Sequence, residues 1–145
     1  MKEMNPLLAE YIRKNHFGEL IGMQFNIIEP GIINYLLKVE NKHLATPLAV
    51  HGGCTAALLD ATMGVGALSI VASHFQVVAT LEMKVSYFDA ARLGDELTAT
   101  SFVVKQGKRL IFMEADIKNQ DEVLIARSSG TFTVFSADKS GYLPS

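Results

Sequence analysis

The chain has 145 residues, 49% of them hydrophobic and 19% charged, with a formal net charge of −2 and a single cysteine. That length suits one domain, 1–145, with a proper core, and that charge offers nothing to attract nucleic acid. Cys54 standing alone excludes an intramolecular disulfide and a thiolate metal cluster and fits a reducing compartment, so a cytoplasmic location is expected.

The N-terminal Met1–Pro6 carries an acid and no long apolar core, unlike a secretory leader. Asn5-Pro6 reads as a cap followed by a first-turn proline, and Leu7, Leu8, Tyr11 and Ile12 follow at helical spacing. This predicts a short amphipathic helix over about 5–16, with Lys14, Asn15 and Gly18 suiting its end. Two β-rich runs, 24–29 and 32–40, flank the turn dipeptide Pro30-Gly31 and read as a hairpin. Residues 41–50 read as a loop feeding a long helix from about Gly53 to Ser73.

After that helix the period changes to two. In 80–88, Leu81, Met83, Val85 and Tyr87 are expected on one face, and Thr80, Glu82, Lys84, Ser86 and Phe88 on the other. Strands are expected at 96–105, 109–118 and 122–135, separated by Gln106-Gly107-Lys108 and Asn119-Gln120-Asp121, with a loose tail over about 136–145. A curved antiparallel sheet wrapped around the long apolar helix makes an α+β fold.

The helical stretch 51–72 has one formal charge, Asp60. Residues three and four positions away are Ala56, Ala57, Met63 and Gly64, so no solvated edge suggests itself. A carboxylate there needs a partner or a task. The stretch meets the ~20-residue length of a membrane span. It is nevertheless interrupted by Asp60, diluted with Gly, Ser and Thr, and lacks an aromatic belt or basic flank, so a buried soluble helix with no membrane partner is expected.

His51-Gly52-Gly53, Asp60 nine residues after the His, the run Thr80–Tyr87, Ala91–Asp95 and Gln106-Gly107-Lys108 together resemble the hotdog fold and, within it, the PaaI-type acyl-CoA thioesterases, over roughly residues 20–135. The resemblance implies hydrolysis of an acyl-CoA thioester without a cofactor, coenzyme A arriving as part of the substrate, in a homodimer or homotetramer. It puts Asp60 where the family keeps its nucleophile or general base. Gly52 stands where a backbone N–H polarises the carbonyl, His51 where the loop and substrate are oriented, and Thr80 where a hydroxyl helps hold the attacking water. The family often has Asn or Gln six residues before the His. Ala45 stands there in this chain, leaving Thr46, Asn41 or His43 to supply a polar group.

These residue types suit the reaction. A carboxylate serves as base or nucleophile, a helix N-terminus favours developing negative charge, and glycines let a ligand approach the backbone. Eight helical residues from Gly52 to Asp60 span about 12 Å, so Asp60 of one chain is expected to work with Gly52 of another in a two-fold dimer. Gly53, Thr46 and Met63 are candidates to line the substrate site, Met63 equally a core residue. Lys105, Lys108, Arg109 and Arg127 gather near predicted strand ends, where Lys108 and Arg109 could meet coenzyme A phosphates or simply face water. Gly64 and Gly66 leave room for a neighbouring helix or an acyl slot, or mark a kink. No spacing of His, Cys, Asp and Glu suits a metal. A non-catalytic acyl-CoA or acyl-carrier binding module is the main alternative. A hydratase of the same fold would want a His a few residues after its Asp, and here the next is His74.

Overall fold

In the computed structural model, which describes residues 3–142, Asn5 opens the first helix, α1 (Pro6–Lys14), its side-chain oxygen accepting from the Leu7 N–H at 2.9 Å. The helix stops short of the expected 16. Asn15 leaves the helical region and caps a second helix, α2 (His16–Ile21), by accepting from the Gly18 N–H at 3.1 Å. Gly18 is therefore inside a helix rather than ending one. The stop is Gly22, whose φ of 87° is the left-handed conformation that glycine enters without strain.

The hairpin β1 (Gln24–Glu29) and β2 (Ile32–Lys38) follows as expected. The expected loop 41–50 is more ordered than its composition suggests, with a 3-10 turn at Asn41–His43 and a two-stranded ribbon, β3 (Leu44–Thr46) and β4 (Ala49–Val50). Then come α3 (Gly52–Val71), a 3-10 turn at Ala72–His74, and strands β5 (Gln76–Tyr87), β6 (Glu96–Gln106), β7 (Leu110–Lys118) and β8 (Leu124–Ser136). The expected loose tail instead opens with a 3-10 turn, Ala137–Lys139, that buries Ala137. Its last residues, 143–145, like 1–2 at the other end, lie outside the described residues.

The main sheet is antiparallel, in the order β1-β2-β6-β7-β8-β5. Helix α3 packs against β2, β5, β6, β7 and β8, so the sheet curves around it as the alternation predicts. Tyr35 and Leu37, Leu97 and Ala99, Ile111 and Met113, and Ala126 and Phe132 close over Leu58, Leu59, Met63 and Ala67. By length and mean hydropathy (1.6) Gly52–His74 could cross a membrane, yet its surroundings are these strands.

Of the register shifts in the sheet, the one in β5 bears on the site. The register of β5 against β8 shifts between Thr80 and Glu82, with Leu81 bulged out and 58% exposed. Thr80 opposes Phe132 and Met83 opposes Gly130, both positions on the helix side of β8. The expected grouping of Leu81 with Met83 is thereby corrected: the extra residue reverses the parity, so Thr80 and Met83 share the inner face and Leu81 does not.

The two helix glycines have different neighbours. A Cβ at Gly66 would stand 2.6 Å from the Ser101 hydroxyl oxygen and 2.9 Å from Met113 Cε. Ser101 has no room to yield, because its hydroxyl donates to the Gly31 carbonyl at 2.9 Å and accepts from the Ile33 N–H at 3.0 Å. Gly66 is thus the point of closest approach between helix and sheet. At Gly64 a Cβ would meet only Phe132, at an ordinary 3.6 Å. Neither glycine kinks the helix, which runs unbroken to Val71. Gly66→Ala is expected to destabilise the fold by about 1–3 kcal/mol through overpacking. Gly64→Ala is expected to stabilise it by up to about 1 kcal/mol through helix propensity. Urea titration of both variants measures the difference.

Candidate functional site

The first turn of α3 is built by His51. Its ring Nδ1 accepts from the Gly53 N–H at 2.8 Å, so the imidazole is the helix cap. Its carbonyl takes the Cys54 N–H at 2.9 Å and the Thr55 N–H at 3.3 Å. Among the described residues this leaves the Gly52 N–H as the first-turn donor without a partner, at the positive end of a long helix. The turn is gripped from outside as well. The His51 N–H donates to the His43 carbonyl at 2.8 Å, and the Tyr87 hydroxyl donates to the Gly52 carbonyl at 2.8 Å.

Asp60 lies two turns further along α3 and is half-buried. Its Oδ1 accepts from the Thr80 hydroxyl at 2.7 Å, an interaction that exists only because the Leu81 bulge turns Thr80 inward. The two residues open onto a cavity of about 170 Å³ walled by Tyr11, Gly64, Phe132 and Tyr142. Burial above all raises the Tyr11 hydroxyl above its ordinary value. Tyr142 and Asp60 add to the rise, and the hydrogen bond with Tyr35 opposes it. The phenol therefore stays protonated beside the carboxylate.

His51 and Gly53 do not join this cavity. They line a different one of about 360 Å³, together with Phe17, His43 and Cys54. Within one chain the structure brings Asp60 and Thr80 together and holds the His51-Gly52-Gly53 turn apart, about 12 Å along the helix. The other sequence candidates are scattered. Met63 is 0% exposed and packs on Gly130 and Ser128, which supports the core one of its two readings. Thr46 is exposed, its hydroxyl accepting from the Leu48 N–H at 3.2 Å in the β3–β4 turn. Of the two residues that could supply the missing amide, Asn41 is exposed and His43 is already committed. His43 Nδ1 accepts from the Glu40 N–H at 2.9 Å, and its Nε2 lies 2.7 Å from the Ile21 carbonyl.

Lys108 and Arg109 sit at the exposed β6–β7 turn, at the end of the sheet where Thr80, Phe132 and Ile111 are in register. Arg127 is not with them. It lies toward the other end of β8 and is held by Asp116 at 3.3 Å, so the expected gathering of four basic residues is corrected. Glu82 faces away from α3 and accepts from the Thr131 hydroxyl at 2.5 Å. Among the described residues no group of three His, Cys, Asp or Glu could hold a metal. Tyr11, Tyr87 and Tyr142 are the site residues that the sequence reading missed. Tyr11 and Tyr87 were read only as apolar positions of an amphipathic helix and a strand, and nothing local ties them to α3.

The family model for the thioesterase superfamily matches residues 49–126. Human acyl-coenzyme A thioesterase 13 is 30% identical over 127 residues, covering 83% of this chain and 88% of that protein. Among solved structures, the PaaI protein of the E. coli phenylacetic acid degradation operon superposes with a TM-score of 0.82 at 19% identity, covering 89% of this chain and 91% of its own. A hypothetical thioesterase of Streptococcus pneumoniae, solved with coenzyme A, superposes with a TM-score of 0.76 at 25% identity, covering 86% and 97%.

Cys54 follows the two glycines, but burial pushes its thiol above the ordinary value, so less of it is thiolate at a given pH and a packing role is favoured over a reactive one. Iodoacetamide at pH 8 is expected to alkylate Cys54 at least tenfold more slowly in the folded protein than in urea, with mass spectrometry as the readout.

Proposed function

The chain belongs to the thioesterase superfamily, with the hotdog fold, and from that membership we propose that it hydrolyses acyl-CoA thioesters to free acid and coenzyme A in a site shared between two copies of the chain. The observation that carries this reading is the separation of two polar groups along α3. A carboxylate held by Thr80 opens onto one cavity, and an unpartnered N–H at the helix tip lies beyond its reach.

The reaction needs a nucleophile for the thioester carbonyl carbon and a donor for the oxyanion that forms. Asp60 acts as general base on water or attacks directly, and Thr80 fixes the carboxylate and helps hold the water. In the water route the hydroxyl oxygen bonds to carbon, the proton passes to Asp60, and the carbonyl oxygen becomes an oxyanion facing the other subunit's Gly52 N–H. Collapse breaks the carbon–sulfur bond, and the coenzyme A thiolate leaves and takes up a proton. In the direct route the carboxylate expels the same thiolate, and water then cleaves the resulting anhydride.

Two features support a two-fold arrangement. Gly53, Ala57, Asp60 and Ala61 form a stripe of α3 that the sheet leaves partly or fully uncovered, small enough to admit a second helix. Strand β5 has a free edge beside it. His51 orients the glycine turn, Gly53 and Thr46 border the substrate there, and Lys108 and Arg109 meet the phosphates of coenzyme A at the Asp60 end. The reading also draws on the named activity of the human relative and on the coenzyme A bound by the Streptococcus pneumoniae protein.

Asp60→Asn is expected to lower kcat on acyl-CoA by about 10³, within the range for loss of a general base, with unchanged circular dichroism. Parent-level turnover in that variant removes the assignment, and tight binding of acyl-CoA by the unmutated protein without turnover favours the binding-module alternative. Co-refolding Asp60→Asn with Gly52→Pro chains, in which a first-turn proline removes the N–H without disturbing the helix, is expected to restore activity, because a mixed dimer contains one site with both intact groups. Two inactive chains that stay inactive when mixed would place the groups in one subunit.

A further inference from the structure

We infer that Tyr11 sets the length of the acyl group this protein accepts, by standing as a partition between the cavity at Asp60 and a larger one behind it. The inference deepens the thioesterase reading and rests on it.

The cavity onto which Asp60 opens measures about 170 Å³. This is below the roughly 300 Å³ at which pockets begin to hold drug-sized ligands. A second cavity, of about 510 Å³, is lined by Asn15, Met23, Phe25 and Tyr35 among others. Tyr11 is a wall of the first, and its far side is fastened to the lining of the second. Its ring packs against Phe25 at a centroid distance of 6.2 Å, and Phe25 in turn packs against Tyr35 at 5.3 Å. Its hydroxyl accepts from Asn15 Nδ2 at 3.2 Å and lies 3.5 Å from the Tyr35 hydroxyl. Every one of these partners lines the larger cavity. One side chain on α1 therefore separates a small space that holds the carboxylate from a space about three times as large.

Gly64 points to the contents of the small space. A glycine within a helix lowers stability and is usually explained by a close approach, as Gly66 is by Ser101. Gly64 has no such neighbour, only Phe132 at 3.6 Å, and it lines the Asp60 cavity one turn beyond the carboxylate. Its missing side chain keeps that space open, and Leu68, Val78 and Phe132 give it apolar walls beside the polar Asp60, Thr80 and Tyr142. An apolar group joined to a carbonyl at Asp60 fits this description. Tyr11, the wall of this space that is fastened to the lining of the larger cavity, stops longer chains and favours short ones.

The test measures kcat/KM of the full-length protein for butyryl-, octanoyl- and palmitoyl-CoA. Tyr11→Ala is expected to raise the palmitoyl-to-butyryl ratio at least tenfold by joining the cavities, while Tyr11→Phe, which keeps the ring, keeps that ratio within twofold. Gly64→Ala, which does not threaten the fold, is expected to lower the octanoyl-to-butyryl ratio at least threefold. Should Tyr11→Ala fail to fold, Tyr11→Leu, which shortens the wall while keeping an apolar side chain, is read by the same palmitoyl-to-butyryl ratio. An active parent whose ratios stay fixed in the folded variants overturns the partition. A parent inert toward every acyl-CoA overturns the thioesterase reading, and the partition with it.

Discussion

Helix α3 is clamped along its length by five strands, and a helix so held can neither bend nor shorten. Its rise of about 1.5 Å per residue then fixes the distance between any two of its side chains. Gly52 and Asp60 are both placed by this one element, each with high precision and each out of the other's reach. The core that makes the helix rigid is the same core that keeps Asp60 and the Gly52 N–H apart within one chain. A looser fold could have bent the two groups together, at the cost of the geometry that each requires.

The remaining site features serve the two ends of that helix separately. At the tip, His51, His43 and Tyr87 take up the neighbouring N–H and C=O groups and so define which donor stays open. At Asp60 the work is done by the bulge in β5, a single extra residue that moves a hydroxyl from the outer to the inner face. The N-terminal helix, joined to the rest through Tyr11 and the Leu7–Leu8 contacts with Leu68 and Val77, adds a wall that the sheet alone does not supply.

Much of this was legible in the chain. The isolated charge in an apolar stretch marked Asp60, the glycine pair marked the helix tip, and β-rich runs separated by short turns marked β6, β7 and β8. What was hidden depended on contacts between residues distant in sequence. Asn15 ends one helix and starts the next, a double duty that reads as a simple stop. Leu81 completes a perfect period-two pattern, so nothing local signals that it bulges. Strands β3 and β4 are too short to carry a period at all. The tyrosines and the contrast between Gly64 and Gly66 became readable only when their neighbours across the fold were known.

That contrast sets what each position tolerates. At about 100° per residue, positions 64 and 66 of α3 point in nearly opposite directions, one toward open space and the other into the hydrogen-bonded Ser101 knot. Position 66 is frozen, since any larger residue collides with groups that cannot retreat. Position 64 is adjustable, since an added methyl meets only Phe132, at an ordinary 3.6 Å. On the proposed reading, one substitution at position 64 reshapes the acyl slot while the scaffold around position 66 is untouched.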